Sequence, residues 1–321
     1  MPGLNLQNAA GFNGGVFSKF IFRPENKGII YNAFLKSFTF PTDVEEFDVI
    51  INVKEKCYSS FYPFKILSQR GIEKIDFEPV TIFYGSNGSG KTTALNVIAE
   101  KLKLERSAVY NKSSFFNDYV DLCGYTLKGT AIPANSRIIT SDDVFDFMLN
   151  LRMLNEGIDT GREKLFEEYR KIKSGDNGKF RLRSLDDFEE LKRLTSVRRN
   201  TQSMYVKKNV GVNVREQSNG ESAFMYFAQK IEENALYLLD EPENSLSPQK
   251  QIELVRFLED SARFYGCQFI IATHSPFVLS VKNAQIYDFD SCPAAVKRWT
   301  ELENVRVYYN FFKQHRANFE K

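Results

Sequence analysis

The spacing of apolar residues changes along the chain, and each change predicts an element. Val80-Thr81-Ile82-Phe83, Ala235 to Leu239 and Gln268 to Ala272 are short continuous apolar runs. That pattern belongs to strands covered on both faces of a parallel sheet. Ala94 to Leu104 instead repeats at helical spacing, with Leu95, Ile98, Ala99 and Leu102 on one face, and Ala223 to Ile231 predicts a second apolar helix. Ser247 caps a third, with Pro248 at its first position, Ile252, Val255 and Leu258 inside and Gly266 as its stop. Upstream, Phe34 to Phe40 and Phe47 to Val53 alternate, which predicts two antiparallel strands joined through Pro41 to Asp43.

The middle of the chain reads differently. Asp142 to Leu154, Arg162 to Lys173 and Leu185 to Val197 predict three charged helices, interrupted at Gly157, Gly161 and Ser174 to Gly178. Residues 1–30 predict an irregular lead-in. Gln285 to Phe289 predicts a late strand, and the aromatic tail from Val305 to Phe312 is expected to pack against the body. The pattern therefore predicts an α/β fold with a mainly parallel core sheet, an N-terminal antiparallel β layer and a helical insert. The expected divisions are 1–140, 141–210 and 211–321.

Composition changes this picture little. With 321 residues, 42% of them hydrophobic, and a formal charge of +2, the chain can bury a substantial core and neither requires nor excludes nucleic acid. The insert carries two basic groups, Lys171 to Arg183 and Lys192 to Lys208, interleaved with acids such as Glu167 and Glu189. They form either a solvated helical face or a surface that neutralises phosphates. Cys57, Cys123, Cys267 and Cys292 lack metal-ligand spacing and are expected to be reduced packing residues in a cytoplasmic protein. No apolar run is long enough to span a bilayer, so direct membrane insertion is not expected.

Candidate chemistry begins at Gly85-Ser86-Asn87-Gly88-Ser89-Gly90-Lys91-Thr92-Thr93. Two glycines four residues apart, then Lys-Thr, between a buried strand and a helix, match the P-loop, whose backbone N–H groups wrap a phosphate chain. Lys91 would reach the β- and γ-phosphates of ATP, and the Thr92 hydroxyl would ligate Mg2+. The strand at Leu236 ends in Asp240 and Glu241, and α/β sheets bind ligands at the carboxyl ends of strands. Asp240 is thus a second magnesium residue and Glu241 a base for the attacking water. His274 follows the next apolar strand, which a right-handed crossover returns to the same sheet edge, in reach of the γ-phosphate. Tyr62 and Arg70 precede the loop and are either adenine contacts or core residues. Taken alone, Ser218-Asn219-Gly220-Glu221 is a helix capping box.

In this order, the P-loop, the Ser-x-Gly-Glu helix, Asp-Glu-Pro-Glu and Thr-His-Ser-Pro resemble the ABC-type P-loop ATPase superfamily. The nearest resemblance is to small soluble predicted AAA-family ATPases of bacteria, kin to the SMC and RecF group. It spans about 61–128 and 211–289. The resemblance implies an ATP-dependent homodimer, or higher oligomer, in which Ser218, Gly220 and Glu221 of one copy face the nucleotide of the other. Asn244 and Ser245 would then lie in the loop that senses the opposite site. It also implies a separate effector or partner protein, in a DNA repair or phage-defence role, with nucleic acid as a possible contact. The signature Ser-Asn-Gly-Glu-Ser departs from that of transporters, which argues against the alternative, an ATP-binding subunit of a membrane transporter. The glutamine-loop contact of that family is unassigned in this sequence, and the insert is far too short for a long coiled coil.

Overall fold

The computed structural model describes residues 33–54, 57–174, 188–210 and 219–320. The expected lead-in at 1–30, Ser218 and the start of the third insert helix lie outside them. In chain order the first elements are β1 (Leu35–Thr39), α1 (Asp43–Ile51), β2 (Lys74–Asp76), β3 (Val80–Tyr84), α2 (Lys91–Leu102), α3 (Phe116–Leu122), β4 (Gly124–Leu127) and β5 (Arg137–Thr140). Helices α4 (Ser141–Lys173), α5 (Phe188–Arg199), α6 (Gln202–Asn209) and α7 (Asn219–Lys230) follow. The chain continues through β6 (Leu236–Asp240), α8 (Pro248–Phe264), β7 (Gln268–Ala272), α9 (Pro276–Leu279), β8 (Gln285–Asp288) and β9 (Ala295–Val296). It ends in α10 (Glu303–Gln314) and α11 (Arg316–Phe319).

Two expectations fail for identifiable reasons. Phe47 to Val53 is not a strand, because Thr42 starts a helix ahead of it. The Thr42 hydroxyl accepts from the Glu45 N–H, and the Glu45 carboxylate accepts from the Thr42 N–H at 2.8 Å. This capping box, with Asp43, Glu45 and Glu46 in the first turn, overrides the alternation. The segments either side of Gly157 and Gly161 form one 33-residue helix, α4. A Cβ at either glycine would meet nothing within 4 Å. These glycines are therefore neither caps nor close-approach sites, and each costs the helix only about 1 kcal/mol relative to Ala.

The described residues form two compact units, one of 33–54, 57–145 and 219–320, the other of 146–174 and 188–210. The smaller unit has its own core, in which Tyr169, Val197, Tyr205 and Val206 are buried together. Within it, the Tyr169 hydroxyl donates to the Asn200 carbonyl at 3.1 Å.

The larger unit contains two sheets. One has six strands in the order β5-β6-β7-β3-β8-β9, all parallel except β9. The other is the antiparallel layer β2-β1-β4. Continuous burial of Val80–Tyr84 and Gln268–Ala272 explains their unbroken apolar sequence. One of their buried polar residues, Gln268, joins the sheets. Its Oε1 accepts from the Phe34 and Leu35 N–H groups at 2.8 and 2.9 Å, and its Nε2 donates to the Leu35 and Glu78 carbonyls at 2.9 and 3.3 Å. Gln268→Leu strands these backbone groups in a fully buried place, so it is expected to cost about 2–4 kcal/mol of stability, as read by urea denaturation.

The tail also departs from expectation. Leu302 and Val305 are buried, but every residue from Arg306 to Glu320 is exposed, including Tyr308, Phe311 and Phe312. Only the first turn of α10 packs on the body. Of the cysteines, Cys123 and Cys267 are buried, whereas Cys57 and Cys292 are exposed.

Candidate nucleotide-binding site

The parallel register lines up four strand ends. Phe83 pairs with Ala272, Asp240 with the same Ala272, and Tyr84 with Asp288, so the residues that follow β3, β6, β7 and β8 emerge at one edge. That edge is where an open α/β sheet presents its ligand site.

The glycine-rich loop leaves β3 there and runs into α2. A Cβ on Gly85 would lie 2.5 Å from Ser89 Oγ, and Gly90, at φ +98°, has its Cβ position 3.0 Å from Leu67 Cδ2. Neither position admits a side chain without movement. Lys91 Nζ donates to the Gly85 and Ser86 carbonyls at 2.7 and 3.0 Å and is 5% exposed. Burial lowers its pKa, against the opposing pull of Glu241, Asp290, Asp240 and Glu243. Ser89 is buried, while Asn87 and Gly88 face solvent. Thr93 Oγ1 accepts from the Tyr62 hydroxyl at 3.3 Å, and the Tyr62 ring stacks on Phe116.

Thr92 Oγ1 donates to Asp240 Oδ1 at 3.1 Å. A hydroxyl and a carboxylate at that separation form a hard oxygen pair that fits Mg2+, an ion usually held by one or two protein oxygens with the rest of its shell from phosphate and water. Burial pushes the Asp240 carboxyl up to about 6; the Thr92 bond lowers it and the charge of Glu241 raises it. The folded chain therefore holds a proton that the unfolded chain has released between pH 3.8 and about 6, and the nucleotide-free protein loses this stability as pH rises through that window. Asp240→Asn is expected to raise stability at pH 7.5 by roughly 1–3 kcal/mol and to reduce the loss between those pH values, as measured by denaturation across pH.

Glu241 has a left-handed backbone, φ +48°, and its N–H donates to the Ala272 carbonyl at 2.9 Å. Such a conformation in a non-glycine residue costs about 1–3 kcal/mol and marks a constrained position. Its carboxylate lies between His274 Nδ1 at 3.7 Å and Asn244 Nδ2, which donates at 2.9 Å. Asn244 thus orients Glu241 within the chain. Ser245 is also left-handed, φ +68°.

Three further residues support the candidate site without being among the sequence candidates. Glu243 is 6% exposed, and its Oε1 accepts from the Thr273 hydroxyl at 2.6 Å and from the His274 and Ser275 N–H groups at 3.2 Å each. It holds the loop that carries His274. Its place as the third acid of Asp-Glu-Pro-Glu is visible in the sequence. Asp290 and Asn304, by contrast, give no local signal. The Asp290 carboxylate accepts from the Ser86 N–H, and Asn304 Nδ2 donates to the His274 carbonyl. Lys91, Thr92, Asp240, Glu241 and His274 are thus collected at one edge. Gly220 and Glu221 begin α7, where the Cβ position of Gly220 faces Lys250, Ser245 and Ser247.

Residues 100–280, just over half the chain, match the protein family described as "AAA domain, putative AbiEii toxin, Type IV TA system"; the match begins within α2, beyond the phosphate loop. Three solved structures are similar. The SMC head domain from Thermotoga maritima is 16% identical, with 83% of this chain and 99% of that one covered and a TM-score of 0.35. The Smc head domain with an extended coiled coil, bound to the C-terminal domain of ScpA and derived from Pyrococcus furiosus, is 13% identical, with 75% and 95% covered and a TM-score of 0.35. An ATP-binding cassette in a dimeric post-hydrolysis state with ADP and Pi is 11% identical, with 71% and 90% covered and a TM-score of 0.34. No curated protein matches the chain.

Proposed function

The chain belongs to this AAA-domain family; from that premise we propose that it is a P-loop ATPase of ABC type that hydrolyses ATP with Mg2+ between two copies and uses the cycle to switch a partner. The observation that carries the reading is the convergence of Lys91, the Thr92–Asp240 pair and the Glu241–His274 pair on one sheet edge. The loop from Gly85 to Thr93 wraps the phosphates with its N–H groups, and the positive end of α2 faces them. Lys91 exchanges its two loop carbonyls for the β- and γ-phosphates. Thr92 and Asp240 would hold magnesium, which would supply charge neutralisation at the phosphates. Glu241, aligned by Asn244, polarises a water toward the γ-phosphorus, and His274 contacts the γ-phosphate.

Ser218, Gly220 and Glu221 are assigned to the nucleotide of the second copy. The placement of Gly220 against Ser245 and Ser247 supports this, because α7 starts beside the loop after β6. Glu241→Gln, with ATP and magnesium, is expected to sediment as a dimer, and as a monomer without ATP. Monomer under both conditions contradicts the two-copy site. The family's description supports a role in a toxin–antitoxin system; within that role we assign the chain a regulatory part, there or in phage defence, with a separate effector in the cytoplasm. DNA repair is the second role. It would place nucleic acid on the insert's basic groups, so filter binding to DNA with steep salt dependence is its signature. Among the described residues no helix is long and apolar enough to cross a membrane.

A further inference from the structure

The segment after β8 touches the candidate site at two separate points. At the first, the Asp290 carboxylate accepts from the Ser86 N–H at 2.7 Å and from the Ser86 hydroxyl at 2.8 Å. Asp290 is itself seated, since its N–H donates to Asp288 Oδ1 at 3.0 Å. Asp288, whose side chain is 7% exposed, pairs with Lys297 Nζ at 2.6 Å just past β9. Hydrogen bonds to Lys297, Ser291 and the Asp290 N–H hold the Asp288 carboxyl below its ordinary range against the opposing effect of burial. At the second point, the Asn304 N–H donates to the Tyr84 hydroxyl at 3.2 Å and its Nδ2 to the His274 carbonyl at 2.7 Å. Buried Leu302 and Val305 fix this first turn of α10.

A carboxylate next to a loop built for phosphates is electrostatically unfavourable for the anion, so its presence requires a compensating geometric use. Asp290 supplies one by taking up both donors of Ser86, which sets the first turn of the loop and leaves the later N–H groups aimed at the ligand. Asn304 acts on the other lip, where it fixes the backbone from which His274 projects. We propose that residues 288–304 form a two-point brace in which Asp290 governs nucleotide affinity and Asn304 governs turnover. Both are positioning residues, acting through Ser86 and His274. The inference rests on the ATPase reading.

The test uses the full chain, a fluorescent ATP analogue for affinity and phosphate release for kcat. Asp290→Ala leaves both Ser86 donors without an acceptor and is expected to weaken analogue binding about tenfold with kcat within about threefold. In Asp290→Asn the amide oxygen still accepts from the N–H and the amide nitrogen donates to the hydroxyl oxygen, so affinity stays within about threefold of the wild type. Asn304→Ala, and equally Asn304→Asp, which cannot donate to the His274 carbonyl, lower kcat about tenfold and leave analogue affinity within about threefold. Unchanged affinity in Asp290→Ala, or parallel losses of affinity and turnover in all four variants that track their thermal midpoints, overturns the brace. A wild-type chain that neither binds the analogue nor releases phosphate overturns the ATPase reading and the brace together, whereas an active wild type with four unaltered variants overturns the brace alone.

Discussion

Glu241→Gln is expected to lower ATP turnover at least about a hundredfold while ATP binding stays within a few-fold. The substitution keeps the side chain's length and an oxygen that accepts from Asn244 Nδ2, so the loop geometry survives. It removes the negative charge that draws a proton from water. The backbone contact of Glu241 with Ala272 is untouched, and so is the Glu243 cradle beneath His274. Phosphate release gives kcat, and titration with a fluorescent ATP analogue gives affinity. A drop in both would mean that Glu241 shapes the site, and an unchanged kcat would remove it from the chemistry.

Lys91→Ala is expected to weaken nucleotide binding about a hundredfold and to abolish turnover, because a buried cation aimed at developing phosphate charge is worth several kcal/mol in a site that excludes water. The protein itself should lose little. Lys91 is desolvated, and its removal takes a donor from the Gly85 and Ser86 carbonyls, of which Ser86 still accepts from the Ser89 N–H at 3.1 Å. Desolvation relief and lost hydrogen bonds oppose each other, so unfolding free energy is expected to change by less than about 1 kcal/mol in urea denaturation. A large loss of stability would show that Lys91 holds the fold and would make the binding defect uninformative.

Some elements were legible because one local signal decided them. The apolar runs at Val80, Leu236 and Gln268 became adjacent parallel strands, and Ser247-Pro248 became a helix start with its cap bond to the Lys250 N–H. The core of the candidate site was legible for the same reason, since each of its residues ends or follows one of those strands. Phe47 to Val53 was misread where two local signals competed, and the cap at Thr42 prevailed over alternation. The glycines of α4 were read as breaks because sequence does not show that their surroundings are open. Asp290 and Asn304 were invisible, because their importance arises only when β8 and α10 are brought beside β3 and β7. The aromatic tail was misjudged because composition alone does not reveal that α10 leaves the body after Val305.

The central claim is that the edge formed by Lys91, Thr92, Asp240, Glu241 and His274 hydrolyses ATP. Its most direct test is phosphate release by the purified chain with ATP, in magnesium and in EDTA, beside Lys91→Ala and Glu241→Gln prepared identically. The account predicts magnesium-dependent release by the wild type and loss of at least about a hundredfold in both variants. Wild-type rates in both variants, or no release by a wild-type chain in any nucleotide-linked oligomeric state, would contradict it.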